Sequence, residues 1–436
     1  MPDELERIAE HACGALGALE APDSGDVITW EIEGRRRLDR RDAPLEVRGG
    51  LRLERARGSP RRIVAVHGGA PRSAIRLADP ARQPRGSDGG WTRAVRAMRA
   101  ALDPAGRGWR HRGERWTRRV LAAGVPGAPG RLAAVVTARV QVVRRGDATP
   151  EVRVDRAVKL RAALEHPIWP VRAGVVAAGP PTARALDEAV EATRAALAAR
   201  IERGRAIAGT LAQASNGSGD PWHGPLVLFE DVAGAFVHEM AHAALETCPV
   251  AARRAAGAFR IVDDPATAPW PCGDCAADGR AGRPVVLWGD AACDAADATW
   301  RRADLAEVAR PAPSSTRLES VGTAPRAERL PSGVAFAAAP GPTRYDPASR
   351  RMLLAVRVFA RPASRGWTVV PGGGVIEIEP EQAWRSLKMM IGPANVDSDQ
   401  ALCTRLGSMH AVMVGAPTIL LDPVRVRSGN ALRVAR

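Results

Sequence analysis

The segment His238-Glu239-Met240-Ala241-His242 places two imidazole rings four residues apart, with a carboxylate directly after the first ring. On an α-helix, side chains at positions i and i+4 lie on one face, so both rings can reach a single metal ion. This is the pattern of helix-borne zinc sites in metallopeptidases, in which the glutamate is the general base. We therefore predict that His238 and His242 bind Zn2+ and that Glu239 is catalytic.

The residues around this motif favour a helix that follows a buried strand. Residues 226–229 are Leu-Val-Leu-Phe, a short apolar run, and Asp231 can cap the helix that follows. Residues 232–246 are rich in alanine and large apolar side chains, and Pro249 prevents the helix from continuing. The motif is therefore predicted to lie on a largely buried helix over residues 232–246.

The composition is that of a globular protein with room for two or three domains, since the 436 residues are 45% hydrophobic and 25% charged. The first residues are acidic and lack the pattern of a secretion signal, and no apolar run approaches the roughly 18 residues of a membrane span. Six scattered cysteines fit a reducing compartment, and the single pair Cys272 and Cys275 is read as a loop. We expect a soluble, cytoplasmic protein without a membrane partner.

The formal charge of +15 comes almost entirely from arginine, because Lys159 and Lys388 are the only lysines. A basic protein can attract nucleic acid, acidic peptides or an acidic partner subunit. The arginines are dispersed in short groups, with no recognised nucleic-acid motif and few aromatic residues between them. The charge therefore indicates a solvated surface, and nucleic acid is not the expected partner.

The order of predicted elements indicates an α+β protein with N-terminal α/β units followed by a β-rich catalytic domain that carries the metal-binding helix. We predict an N-terminal α/β domain over residues 1–90 and a middle domain over residues 91–219. The middle domain contains helices over 91–102 and 115–123, a hairpin of 132–143 with 152–160, and a long helix over 182–213. Residues 220–436 form the predicted C-terminal metallopeptidase domain, in which residues 300–332 are expected to be a loop.

Two separate stretches of the chain resemble the TldD/PmbA metallopeptidases, a family formerly described as modulators of DNA gyrase. Residues 225–246, PLVLFEDVAGAFVHEMAHAALE, match the order of the strand, loop and metal helix of the family. Residues 390–429 are similar to its closing segment, with a metal-binding cysteine and a Gly-x-Pro-Thr strand. The resemblance implies that Cys403 is the third zinc ligand and that unfolded or extended peptides are the substrates, with leader-peptide removal from a modified peptide as one role. It also implies a heterodimer with a related, metal-free TldE/PmbA-like subunit.

The chain departs from the family at the second histidine, which the family usually places five residues after the first and which here is His242, with Ala243 at the expected position. The change either keeps zinc on a regular helix or marks a catalytically decayed partner subunit. The residues alone leave the third ligand open between Cys403, Glu246 and His410. Ligands at i, i+4 and i+8 of one helix spread over about 12 Å, so Glu246 is expected to support His242 or to pack.

Overall fold

The computed structural model describes residues 4–17, 27–39, 45–54, 87–123, 129–145, 149–164, 171–178, 182–212, 214–217, 219–246, 258–264, 285–289, 315–321, 326–327, 331–346, 348–364, 366–392, 397–405 and 408–428. Within these residues the chain forms five helices and nineteen strands. The prediction of an α+β fold is confirmed. No helix among these residues is long and apolar enough to cross a membrane.

Helices and strands alternate in the first half of the chain, and strands dominate the second half. The helices are α1 (Glu4–Gly17), α2 (Ser87–Leu121), α3 (Ala183–Ala212), α4 (Glu230–Glu246) and α5 (Pro380–Ser386). The strands of the first half are β1 (Val27–Arg37), β2 (Glu46–Glu54), β3 (Gly130–Arg145), β4 (Glu151–Leu164), β5 (Val171–Ala178) and β6 (Ser215–Asn216). Those of the second half are β7 (Trp222–Leu228), β8 (Phe259–Asp263), β9 (Val285–Trp288), β10 (Ser315–Ser320), β11 (Arg326–Ala327), β12 (Ala335–Asp346), β13 (Arg351–Pro362), β14 (Trp367–Val369), β15 (Gly374–Ile378), β16 (Leu387–Ile391), β17 (Asp397–Arg405), β18 (Ser408–Gly415) and β19 (Thr418–Ser428).

The first sheet is antiparallel, in the order β2-β1-β3-β4-β5. One face of β3 is apolar at every second residue, and helices α1, α2 and α3 pack against that face, with Leu5, Met98 and Leu186 in its core. The sheet joins β1 of the first predicted domain to β3 of the second. The domain boundaries at residues 90 and 219 remain predictions.

Helix α2 is one continuous helix, so the prediction of two helices over 91–102 and 115–123 is wrong. Its buried side chains, Met98, Leu102, Trp109 and Trp116, form one face against the first sheet across the predicted gap. Asp103, within the gap, accepts a hydrogen bond of 2.6 Å from Arg36 of β1. Packing against the sheet therefore sustains the helix through a segment whose local sequence does not indicate one.

A nine-stranded sheet forms the centre of the molecule, in the order β11-β16-β19-β7-β12-β13-β14-β6, with β15 pairing to β13 and β19. One of its faces, with Val227, Phe336 and Leu420, belongs to the same core as α1, α2 and α3. The other face, with Leu226 and Leu228, packs against α4. A third sheet, β17-β18-β10-β8-β9, covers the opposite side of α4. Helix α4 is therefore enclosed between two sheets.

The local predictions for the second half of the chain have mixed outcomes. Strands β13, β14 and β15 supply much of the β-rich character predicted for residues 220–436. The predicted loop over 300–332 contains β10, which pairs with β8 and β18 inside the third sheet, so that prediction is wrong for residues 315–320. Residues 300–314, 322–325 and 328–330 of the predicted loop lie outside the described residues. Gly372 and Gly373 have positive φ values in the turn before β15, a conformation that glycine adopts without strain.

Candidate metal centre

The central sheet positions the start of α4. Strand β7 pairs with β12 on one side and with β19 on the other, and the chain enters the helix directly after Phe229. The Phe229 carbonyl accepts hydrogen bonds from the backbone N–H groups of Val232 at 2.9 Å and Ala233 at 2.7 Å. The helix begins at Glu230, so Asp231 lies in its first turn and not at the predicted capping position. From there the Asp231 carboxylate accepts a hydrogen bond of 2.9 Å from the Val232 N–H. Strand pairs in the middle of the central sheet therefore hold the start of α4.

The two predicted histidine ligands face each other on α4. The Nε2 atoms of His238 and His242 are 3.1 Å apart, and the rings meet edge to face with an interplanar angle of 88°. Two imidazole nitrogens on one tetrahedral zinc ion, each about 2.0–2.1 Å from the metal, are separated by about 3.3–3.4 Å. The nitrogens therefore already stand close to the separation that a shared metal ion requires.

Burial favours the neutral form of the His238 imidazole. The pKa of His238 lies well below its usual value, chiefly because burial disfavours the charged ring and also because His242 adds positive charge nearby. A metal binds the neutral imidazole, so this protonation state suits a ligand. The Nδ1 atom of His238 is buried and makes no hydrogen bond in the described structure. A zinc-bound histidine commonly donates from its second nitrogen, and no acceptor is placed for it here.

The carboxylate between the two histidines is also withdrawn from solvent. Glu239 and His242 are each 6% exposed, and Glu239 makes a contact within the chain. On the other side of the helix, the indole N–H of Trp288 in β9 donates a 2.7 Å hydrogen bond to the Met240 carbonyl. The third sheet therefore fixes the turn of α4 that carries the motif.

The predicted third ligand, Cys403, lies on β17 opposite His410 of β18. Both strands contact α4, so the fold brings this segment to the helix that carries His238 and His242. The side chains of Cys403, His410 and Glu246 are outside what the structure describes, as are Cys272 and Cys275. Among the side chains that are described, no group of three or more His, Cys, Asp or Glu could hold a metal ion. His238 and His242 thus fit as two ligands, and Cys403 remains a prediction.

An ion pair with a buried carboxylate lies at the start of α4 and was not predicted from the sequence. Arg203 of α3 donates to Glu230, the first residue of α4, with an Nε to Oε1 distance of 2.5 Å. The Glu230 side chain is only 3% exposed, and its Oε2 atom is buried without a hydrogen-bond partner in the described structure. An acidic residue in the first turn of a helix is a common feature, so the sequence offers no signal of the partner.

The fold and the site define an α+β protein that holds a pair of facing histidines on a helix between two sheets. A protein of known structure from Bacteroides thetaiotaomicron VPI-5482, described as a proposed modulator of DNA gyrase, matches with a TM-score of 0.51 and 10% sequence identity. The match covers 98% of this chain and 99% of that chain. The two proteins therefore share a fold, as the resemblance in sequence implied.

Two further solved structures match at 10% identity and a TM-score of 0.45. They are TldE from Thermococcus kodakarensis, with 98% of this chain and 100% of that chain covered, and a proposed modulator of a DNA gyrase from Thermotoga maritima MSB8, with 97% and 99% covered. No protein-family model matches the sequence, and no curated protein does.

Proposed function

We propose that this chain is a zinc-dependent peptidase that hydrolyses unfolded or extended peptides. The observation that carries the proposal is the 3.1 Å separation of the His238 and His242 Nε2 atoms on a regular helix. Cys403 completes the proposed ligand set, because its strand contacts that helix. When bound, Zn2+ polarises a carbonyl group and lowers the pKa of water.

The residues of the chain have separate roles in the proposed reaction. His238 and His242 offer Nε2 lone pairs, and burial keeps His238 in the neutral form that can do so. The Glu239 carboxylate accepts a proton from the attacking water and returns it to the departing amine. Its burial at 6% exposure keeps bulk water away and strengthens these electrostatic effects.

The proposed substrate and partner follow from the resemblance of residues 225–246 and 390–429 to the TldD/PmbA metallopeptidases. A related TldE/PmbA-like subunit without metal would form a heterodimer with this chain. Removal of a leader segment during maturation of a modified peptide is the proposed role. The second candidate is a catalytically decayed subunit of the same kind of complex, which is favoured by Ala243 at the position of the usual family histidine.

Zinc content and cleavage together test this proposal. Purified wild-type protein and Glu239→Gln are expected to hold about one zinc ion per chain, whereas His238→Ala and Cys403→Ala lose it. His11→Ala, which removes an exposed histidine of α1, serves as the matched control and retains zinc. Cleavage of an unstructured peptide is expected in the wild type and absent in Glu239→Gln.

The contrary outcomes separate the alternatives. A folded wild-type protein without zinc would favour the decayed-subunit interpretation. Zinc retained by Cys403→Ala would remove this cysteine from the ligand set and return Glu246 and His410 as candidates. Cleavage by Glu239→Gln at the wild-type rate would exclude Glu239 as the general base.

A further inference from the structure

The first sheet has a second face, opposite the one on which α1, α2 and α3 pack. The helices contact the face that carries Ile32, Val136 and Leu160. Side chains alternate along a strand, so the residues between these point the other way. Of the described helices, none lies on that opposite side. We call it the basic face and define it by Arg35, Arg131, Arg139, Lys159, Arg161 and Arg172.

The described side chains of the basic face carry a net positive charge. Six cations stand against three acidic residues, Glu33, Glu46 and Glu151, and a seventh cation, Arg37, is held by Asp39 at 2.7 Å. All six cations are at least partly exposed. Most of them also make contacts within the chain, so the attraction for an anionic partner comes from the net charge of the face.

The strand register arranges these cations in a regular pattern. Lys159 and Arg161 are two residues apart on β4, which places them about 6.6–6.8 Å apart along the strand. On the neighbouring strands, Arg131 of β3 and Arg172 of β5 both lie opposite Ala163 of β4. The cations therefore follow the spacing of alternate residues in an extended chain.

We propose that the basic face binds an acidic peptide segment in an extended conformation. Alternate Asp or Glu side chains of such a peptide repeat at the same 6.6–6.8 Å, roughly, and so match the spacing of Lys159 and Arg161. No aromatic residue is among the described side chains of this face, so nucleic-acid bases find nothing there on which to stack. Charge complementarity and spacing thus favour a peptide.

The position of the basic face connects it to the metal helix. Strand β5 is one edge of the first sheet, and it contacts β17, the strand of Cys403. A peptide that lies along β4 is therefore one strand away from the third sheet, which packs on α4. Acidic peptides are thus the substrates of the proposed peptidase. Their cleavage rests on the proposed function, whereas their binding to the basic face does not.

Binding is tested on the metal-free full chain, so the result does not depend on zinc or on cleavage. The probes are a fluorescent peptide of about 12 residues with alternating glutamate, its lysine counterpart, and single-stranded DNA of equal charge, compared by fluorescence anisotropy. Lys159→Gln with Arg161→Gln is expected to weaken binding of the acidic peptide about tenfold or more. The lysine peptide is expected not to bind.

The control changes the same number of charges elsewhere. Arg184→Gln with Arg205→Gln removes two arginines of α3 whose side chains are 90% and 72% exposed, and it is expected to leave binding unchanged. Equal binding by the face variant and the wild type, or an equal loss in the control, would overturn the proposal. Tighter binding of the DNA than of the acidic peptide would overturn it in favour of a nucleic-acid partner. If circular dichroism shows the face variant unfolded, Arg131→Gln with Arg172→Gln replaces it and carries the same expectation.

Discussion

The ion pair between Arg203 and Glu230 predicts an asymmetric response to mutation. It joins α3 to the first residue of α4, and the side chains of Arg203 and Glu230 are 31% and 3% exposed. Replacing Arg203 by Met leaves a carboxylate that is buried on α4, with its Oε2 atom already without a partner in the described structure. Replacing Glu230 by Gln leaves an arginine that still reaches solvent and an amide carbonyl that still accepts its hydrogen bond.

The structure sets the size of each effect. Removing one partner of a fully buried ion pair costs about 3–5 kcal/mol, and the partial exposure of Arg203 reduces this to about 2–4 kcal/mol for Arg203→Met. Glu230→Gln costs about 1 kcal/mol, the value of a weakened hydrogen bond. The double variant Arg203→Met with Glu230→Met leaves no buried charge and is expected to be more stable than Arg203→Met alone.

Urea unfolding of the metal-free protein, followed by circular dichroism, measures these differences from the transition midpoint and slope. Arg184→Met is the control, because it removes an exposed α3 arginine that pairs with Glu188 on the same helix, and its midpoint is expected to stay near that of the wild type. A loss for Arg203→Met no larger than that for Glu230→Gln would refute the reasoning, since Glu230 would then not be an uncompensated buried charge.

Three further predictions concern α4 and its surroundings. Phe236→Ala, at a fully buried position between two sheets, is expected to lower the free energy of unfolding by about 3–5 kcal/mol in urea titrations. Trp288→Phe removes the donor to the Met240 carbonyl and is expected to cost about 1–3 kcal/mol and to weaken zinc binding in a chelator competition. Since the pKa of His238 is lowered in the folded state, the unfolded metal-free chain binds more protons below about pH 6.5. Its stability should therefore fall as the pH drops below that value, and His238→Gln should reduce this dependence in parallel melts.

The elements nearest the site were predictable because their signals are local. The apolar run before residue 230 and the alanine-rich stretch after it indicated β7 and α4, and alternation indicated the hairpin of β3 and β4. The single helix α2 was not predictable in this way, because its buried face against the sheet decides its length. The same holds for the contact of α3 with α4 through Arg203 and Glu230, which lie 27 residues apart on different helices.

The candidate ligands also differ in whether a local sequence pattern predicts them. The spacing of His238 and His242 is a property of one helix, so the sequence alone predicted that their rings would meet. Cys403 is separated from them by more than 150 residues, and a single cysteine carries no local pattern. Only the resemblance to a family identified it, and the fold then placed its strand against α4.

The spacing of the histidines bears directly on whether the site has decayed. Residues four apart on a regular helix differ by about 40° around its axis, and residues five apart differ by about 140°. A five-residue spacing therefore needs a local distortion of the helix before both rings can share a metal ion. Helix α4 is α-helical throughout, and its four-residue spacing already brings the two Nε2 atoms to 3.1 Å. A regular helix therefore accommodates the four-residue spacing, so the decayed-subunit candidate rests on the sequence difference at Ala243 and not on the geometry of the two rings.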